Sequence, residues 1–222
     1  YYGGGLSCYD GSSPALENCI FRNNMGTIEG GGVHLRENCN PTFINCRFEG
    51  NFANGPGGGM FCMENSNPTL TNCVFDGNDA APDGGGIYCR DSSPTLTNCT
   101  LMNNASSVGG GVYCINSSPG FLNCMIKLNA ASFGSGIYCY GGGSSPTFTD
   151  CMIESNSANI YGGGIYCDYY AAPVFSQCAI LDNVASSAGG LHCEANSAPS
   201  LNACTISNNT AVDIGGGMFC ST

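Results

Sequence analysis

Eight copies of one fixed spacing govern this sequence. Pro14, Pro41, Pro68, Pro94, Pro119, Pro146, Pro173 and Pro199 are each followed five residues later by a cysteine: Cys19, Cys46, Cys73, Cys99, Cys124, Cys151, Cys178 and Cys204. Five residues further on, each copy has an asparagine: Asn24, Asn51, Asn78, Asn104, Asn129, Asn156, Asn183 and Asn209. Between these blocks, glycine clusters begin at Gly3, Gly30, Gly57, Gly84, Gly109, Gly134 and Gly162, with degenerate or final copies at Ala188 and Gly215, a period of 25 to 28 residues. A unit this short cannot bury an apolar face alone and must stack on its neighbours.

The segments between punctuation are short and rich in Thr, Ile, Val, Phe and Tyr, the residues of strands, and the period is too short for a typical two-helix repeat. In GGGVYC, alternation sends Val112 and Cys114 to one side and Tyr113 to the other. In PGFLNCMIKLN, Phe121, Cys124 and Ile126 all face inward if the chain bends at Asn123. Each repeat then makes one three-sided coil. Coils stacked at the strand spacing of ~4.8 Å give a rod of roughly 40 Å. The fold class expected is all-β: a parallel β-helix, or β-solenoid, of about eight coils in one repeat domain over residues 1–222.

Stacking turns each repeated position into a column. The Asn24-to-Asn209 column reads as a corner ladder, because asparagine tolerates left-handed backbone and its amide can bond to the copies above and below. The glycines suit a corner with positive φ or close backbone approach, and the prolines open strands after Ser- and Asn-rich turns such as Asn116 to Pro119. A phosphate-binding glycine loop would precede a helix and carry a lysine, and neither is present.

The 17 cysteines form two columns, with Cys39 as the outlier. One column ends each GGGxxC segment (Cys8, Cys62, Cys89, Cys114, Cys139, Cys167, Cys193, Cys220), with Leu35 filling its gap; the other is the Asn-Cys step. Pairing within each coil joins Cys8 to Cys19, Cys62 to Cys73, Cys89 to Cys99, Cys114 to Cys124, Cys139 to Cys151, Cys167 to Cys178 and Cys193 to Cys204. Cys46 would take the displaced Cys39, and Cys220 is left unpaired. Such disulfides imply an oxidising compartment. A continuous column of free thiols is the alternative. Metal or iron-sulfur binding finds no tight C-x-x-C pair, so no cofactor is expected.

Phe-x-x-Asn (Phe21 to Asn24, Phe48 to Asn51, Phe75 to Asn78) combined with GGGV or GGGI resembles the repeats of the polymorphic outer membrane proteins of bacterial surfaces. The chain is also similar to the wider group of right-handed parallel β-helix proteins related in fold to pectate lyases. The resemblance implies a right-handed solenoid that acts as a surface-exposed rod or adhesin. The third glycine, where the family has alanine, and the regular cysteines depart from the strict pattern.

An enzyme of this fold would need clustered calcium-binding carboxylates with a nearby base, or paired carboxylates in a cleft. The outward column three residues after the Asn-Cys cysteine reads instead Arg22, Glu49, Asp76, Met102, Lys127, Glu154, Leu181, Ser207, with Arg22 beside Glu49 and Lys127 beside Glu154. His34 and His192 fall near opposite ends of one column, so no catalytic residue is assigned. With five Lys and Arg against sixteen Asp and Glu, nucleic acid is not expected as a partner. No apolar run is long enough to span a bilayer, and YYGGGLSCYD lacks the basic end and apolar stretch of a signal peptide.

The candidate interaction stripe is the column Phe61, Tyr88, Tyr113, Tyr138, Tyr166 and Phe219, continued by Ser7, His34 and His192. Facing outward, it offers a flat aromatic surface to another rod, a glycan or a host surface; facing its own sheet, it is a stabilising stack. The steps Thr69 with Thr71, Thr95 with Thr97 and Thr147 with Thr149 suggest an ice-binding array, interrupted by Glu17, Ile44, Gly120 and Leu122. The chain begins in one glycine corner and stops after another in phase. It therefore reads as part of a longer protein or as a subunit that self-associates end to end or laterally. The function expected is an extracellular or cell-surface structural fibre or stalk, ahead of an adhesin or glycan-binding rod, and ahead of a polysaccharide lyase or hydrolase.

Overall fold

A computed structural model describes residues 3–222, with Tyr1 and Tyr2 outside the described residues. Every element in it is a short strand, and the strands stack as an all-β parallel solenoid. The first sheet has nine strands, from Leu6–Cys8 to Met218–Cys220. The second has eight, from Ala15–Glu17 to Ser200–Asn202, and the third eight, from Ile20–Arg22 to Thr205–Ser207. Pairing is parallel and in phase, so that Val112, Tyr113 and Cys114 lie opposite Ile137, Tyr138 and Cys139.

The inward residues are those the alternation selects: Val112, Cys114, Phe121, Cys124 and Ile126 are all buried, and the bend falls at Asn123, with φ 52°. Parallel stacking places like on like in the core. Phe48 and Phe75 rings stack at 4.3 Å on the third sheet, and Phe121, Phe148 and Phe175 at 4.6 and 4.7 Å on the second.

The coil is not three-sided. After each ladder asparagine the chain makes a fourth side, less regular than the other three. Met25–Gly26, Phe52–Ala53 and Asp79–Ala80 form one sheet there. Ala130–Phe133, Ser157–Tyr161, Val184–Ser187 and Thr210–Ile214 form another, and Ala105 and Val108 link the two only through isolated bridges. The strands of the second set alternate between four and five residues, and each junction between them carries a register shift.

The asparagine ladder is present and buried from Asn51 to Asn183. Asn104 is typical: its Oδ1 accepts from both the amide and the main chain of Asn78, while its Nδ2 donates to Asn129 Oδ1 and Phe75 O. Both amide hydrogens and both oxygen lone pairs are thus used. The left-handed geometry expected at these asparagines falls one residue earlier, at Asn23, Gly50, Gly77, Asn103, Leu128, Ser155, Asp182 and Asn208. The ladder side chain can then turn inward from a β-region backbone.

The pairing expected for the cysteines is not shown: the seventeen are free, with no two at disulfide distance. The first column looks inward from the end of the first sheet, with Leu35 stacked between Cys8 and Cys62. The second sits at the bend, where the thiols donate to carbonyls: Cys73 to Phe43 and Thr71, Cys46 to Leu16 and Ile44. Cys39 donates to Arg36 O at 3.1 Å rather than joining Cys46. Where thiols meet, as at Cys62 with Cys89, Cys114 with Cys139 and Cys139 with Cys167, the partner sulfur belongs to the adjacent coil. Hydrogen bonding to the neighbouring thiol, and then burial, pushes Cys89, Cys114 and Cys167 well above the ordinary thiol range. Cys220 is exposed.

Candidate functional site

The outward face of the first sheet gathers most of the side chains with chemistry. The aromatic column is continuous in register from Ser7 through His34, Phe61, Tyr88, Tyr113, Tyr138, Tyr166 and His192 to Phe219. It is not an open stripe. Phe61 is 1% exposed, Tyr88 6%, Tyr138 8% and Tyr166 4%; Tyr113 and Phe219 are half-buried. The glycine corner makes this possible: a Cβ on Gly57 would lie 2.8 Å from Phe61 Cβ, so its absence lets the ring lie down against the backbone. The fourth side then folds over it, placing the Tyr161 ring 4.6 Å from His192 and 5.9 Å from Tyr166, and Phe133 6.2 Å from Tyr166. The stripe mainly stabilises its own sheet, as ring contacts of 5.2, 5.4, 4.8 and 4.9 Å from Phe61 to Tyr166 indicate.

A second outward column, two residues on, runs through Met63, Arg90, Ile115, Tyr140 and Asp168. Its residue types differ from coil to coil, so it carries no repeat signal in the sequence. It supplies the acceptors for the first column. Tyr138 donates to Asp168 Oδ2 at 3.0 Å, and Tyr166 donates to Glu194. Burial pushes Tyr88 up to about 12 and raises Tyr113, Tyr138 and Tyr166 as well, so these phenols act as donors and not as bases.

His34 lies 3.3 Å from Glu29 and His192 3.4 Å from Glu194. Burial, aided by Arg36, lowers His34 to about 4, and burial lowers His192. Six strand steps, roughly 29 Å, separate the two rings, so they cannot share a substrate. Asp83, on the fourth side, has its carboxyl raised by burial.

On the third sheet, Arg22 pairs with Glu49 at 2.6 Å, joined by Arg47. Lys127 and Glu154 are strand neighbours, with no ion pair between them among the described residues. Glu49 and Asp76 are also neighbours, and Asn103 donates to Asp76 at 2.8 Å. No group of three or more His, Cys, Asp or Glu is placed to hold a metal among the described residues. The threonine steps lie in register on the second sheet, Thr69 and Thr71 opposite Thr95 and Thr97, with Gly120 and Leu122 next in the array. A shallow depression of ≈ 290 Å³ on the fourth side is lined by Ala105, Ser106, Ser107, Ser132, Ser157 and Asn159, among others.

The model of the right-handed β-helix region family matches residues 2–130 and 107–222. The chain belongs to the right-handed β-helix family. Membership agrees with the solenoid and supplies its handedness, while the narrower likeness to polymorphic outer membrane proteins rests on the repeat motifs alone. No curated relative matches this β-helix. The open aromatic surface of this β-helix lies at the corner after the first sheet, where Tyr140, Tyr169 and Tyr170 are 36%, 53% and 54% exposed.

Proposed function

We propose that the chain is an extracellular structural protein, a stiff solenoid that serves as a stalk, fibre or surface filament. The observation that carries this reading is the unbroken amide ladder from Asn24 to Asn209, which crosses every junction between successive coils. A buried polar column committed to cohesion resists shear between coils, since breaking it leaves amides unsatisfied in the core. The outward face supports a non-catalytic role in the same way, because the Tyr138 and Tyr166 phenols donate to Asp168 and Glu194 and the two imidazoles lie against Glu29 and Glu194. Lateral self-association is supported by the second sheet, a regular face on which Ile44, Leu122 and Val174 stand exposed among threonines.

Electron microscopy of the native material, with antibody against this chain, tests the reading. Labelled uniform rods or fibres outside the cell are expected, and label confined to the cell interior would overturn it. A polyuronate cleavage assay with and without calcium is expected to give no product, and product formation would move the protein to the lyases or hydrolases.

A further inference from the structure

The corner that follows each first-sheet strand takes left-handed backbone in every coil. Its first position is Asp10, Glu37, Glu64, Asp91, Asn116, Gly141, Tyr169 and Ala195 in turn, and its second is Gly11, Asn38, Asn65, Tyr170 and Asn196 where that too is left-handed. Glycine and asparagine tolerate this conformation, whereas tyrosine is an outlier there. One coil alone places two tyrosines in succession at this corner, with φ 53° and 64°. Residues held in a disfavoured backbone conformation cluster at functional positions, and these two rings are more than half exposed.

The surroundings keep the rings open. Tyr169 stacks on Tyr140 at 5.5 Å and 14°, and Tyr170 meets Tyr169 edge to face at 5.3 Å and 84°. The adjoining coils present Gly141, Gly142 and Gly143 on one side and Ala195 and Asn196 on the other. Asp168 is the strand partner of Tyr140, and no Lys, Arg or His pairs with it among the described residues. The charge around the corner has one sign: from residue 128 onward the chain contains no Lys or Arg and six carboxylates.

We propose that Tyr140, Tyr169, Tyr170 and Asp168 form a docking site for an arginine-bearing basic peptide segment of another protein. The guanidinium stacks on a tyrosine face, and Asp168 complements its charge. Arginine fits better than lysine because its planar, weakly hydrated group stacks on rings. The one-signed field of this half of the rod draws a basic segment in and disfavours anionic partners.

Calorimetric titration of the purified chain with a short Arg-Gly-Gly repeat peptide tests this, beside its lysine counterpart and its neutral citrulline counterpart. The arginine peptide is expected to bind most tightly and the citrulline peptide least. Tyr169→Ala combined with Tyr170→Asn installs the residues of the next coil, and should weaken arginine binding roughly tenfold while raising the melting temperature. Asp168→Asn, on the unstrained strand end, should weaken binding and flatten its salt dependence. Equal binding of arginine and citrulline peptides, equal binding of arginine and lysine peptides, or undiminished binding by the folded tyrosine variant would each overturn the proposal.

Discussion

At the residue scale, cohesion rests on buried amides with no spare hydrogen-bonding capacity. Asn104→Ala leaves the main chain and amide of Asn78 without their acceptor, removes the side-chain donor to Phe75 O, reduces Asn129 Oδ1 to the Asn104 main-chain donor alone, and leaves a void in the core. A loss of about 2 to 4 kcal/mol is expected from denaturant midpoints. Asn72 makes a similar rung with Asn45 and Asn98 on an exposed column, so Asn72→Ala should cost under about 1 kcal/mol. The inner ladder was legible because one residue type recurs at one spacing. The outer column was missed because it keeps asparagine only from Asn18 to Asn123, then passes to Asp150, Gln177 and Ala203 at the same left-handed bend.

His34 ties stability to pH. Folded, it takes a proton only near pH 4, against 6.5 as the ordinary value. Between those values the unfolded chain binds more protons, so stability falls as pH is lowered from about 6.5 to about 4, by at most roughly 3 kcal/mol from this group. Thermal melts across that range should show the loss. His34→Phe, which continues the stack of Phe61, should reduce it.

At the scale of strands and corners, the glycines are demanded by coil-to-coil approach more than by turn chemistry. A Cβ on Gly85 would fall 2.3 Å from Ala105 O and 2.7 Å from Gly110 O, both backbone atoms, whereas one on Gly77 would meet nothing within 4 Å. Gly85→Ala should therefore prevent folding or cost more than about 3 kcal/mol, and Gly77→Ala about 1 kcal/mol for its positive φ alone, as melting measurements would register. Strand spans and inward positions could be read from alternation, but the fourth side could not, since its segments vary in length and composition. That unseen side packs Phe133 and Tyr161 against Tyr166 and His192, and of the two readings of the aromatic column the structure favours the stabilising stack over the open stripe.

The cysteine columns teach the same lesson. Two columns could be counted from the sequence, but whether the partner lay within the coil or along the stack depended on which way each bend points its side chain. With the bend thiols turned to carbonyls, mass measurement after alkylation in denaturant, without reductant, should find seventeen modified thiols. In the native state Cys220 should react far faster than Cys114 or Cys139, which are fully buried. Disulfide-linked peptides from within single coils would instead support the pairing read from the sequence.

At the scale of the whole molecule, each coil contacts its neighbours through the same columns, and stability is close to a sum of junction terms. Where the ladder is intact the junctions should be alike, and the rod should behave as a uniform stack. Pulling single chains from end to end tests that claim most directly. The stack should stay short until a force peak, then lengthen in repeated steps of about 90 Å, the extended length of one coil, with the peaks lowered at the junctions beside Asn104→Ala. Featureless lengthening at low force, with no steps of coil size and no effect of that substitution, would contradict a stiff solenoid built on its ladders.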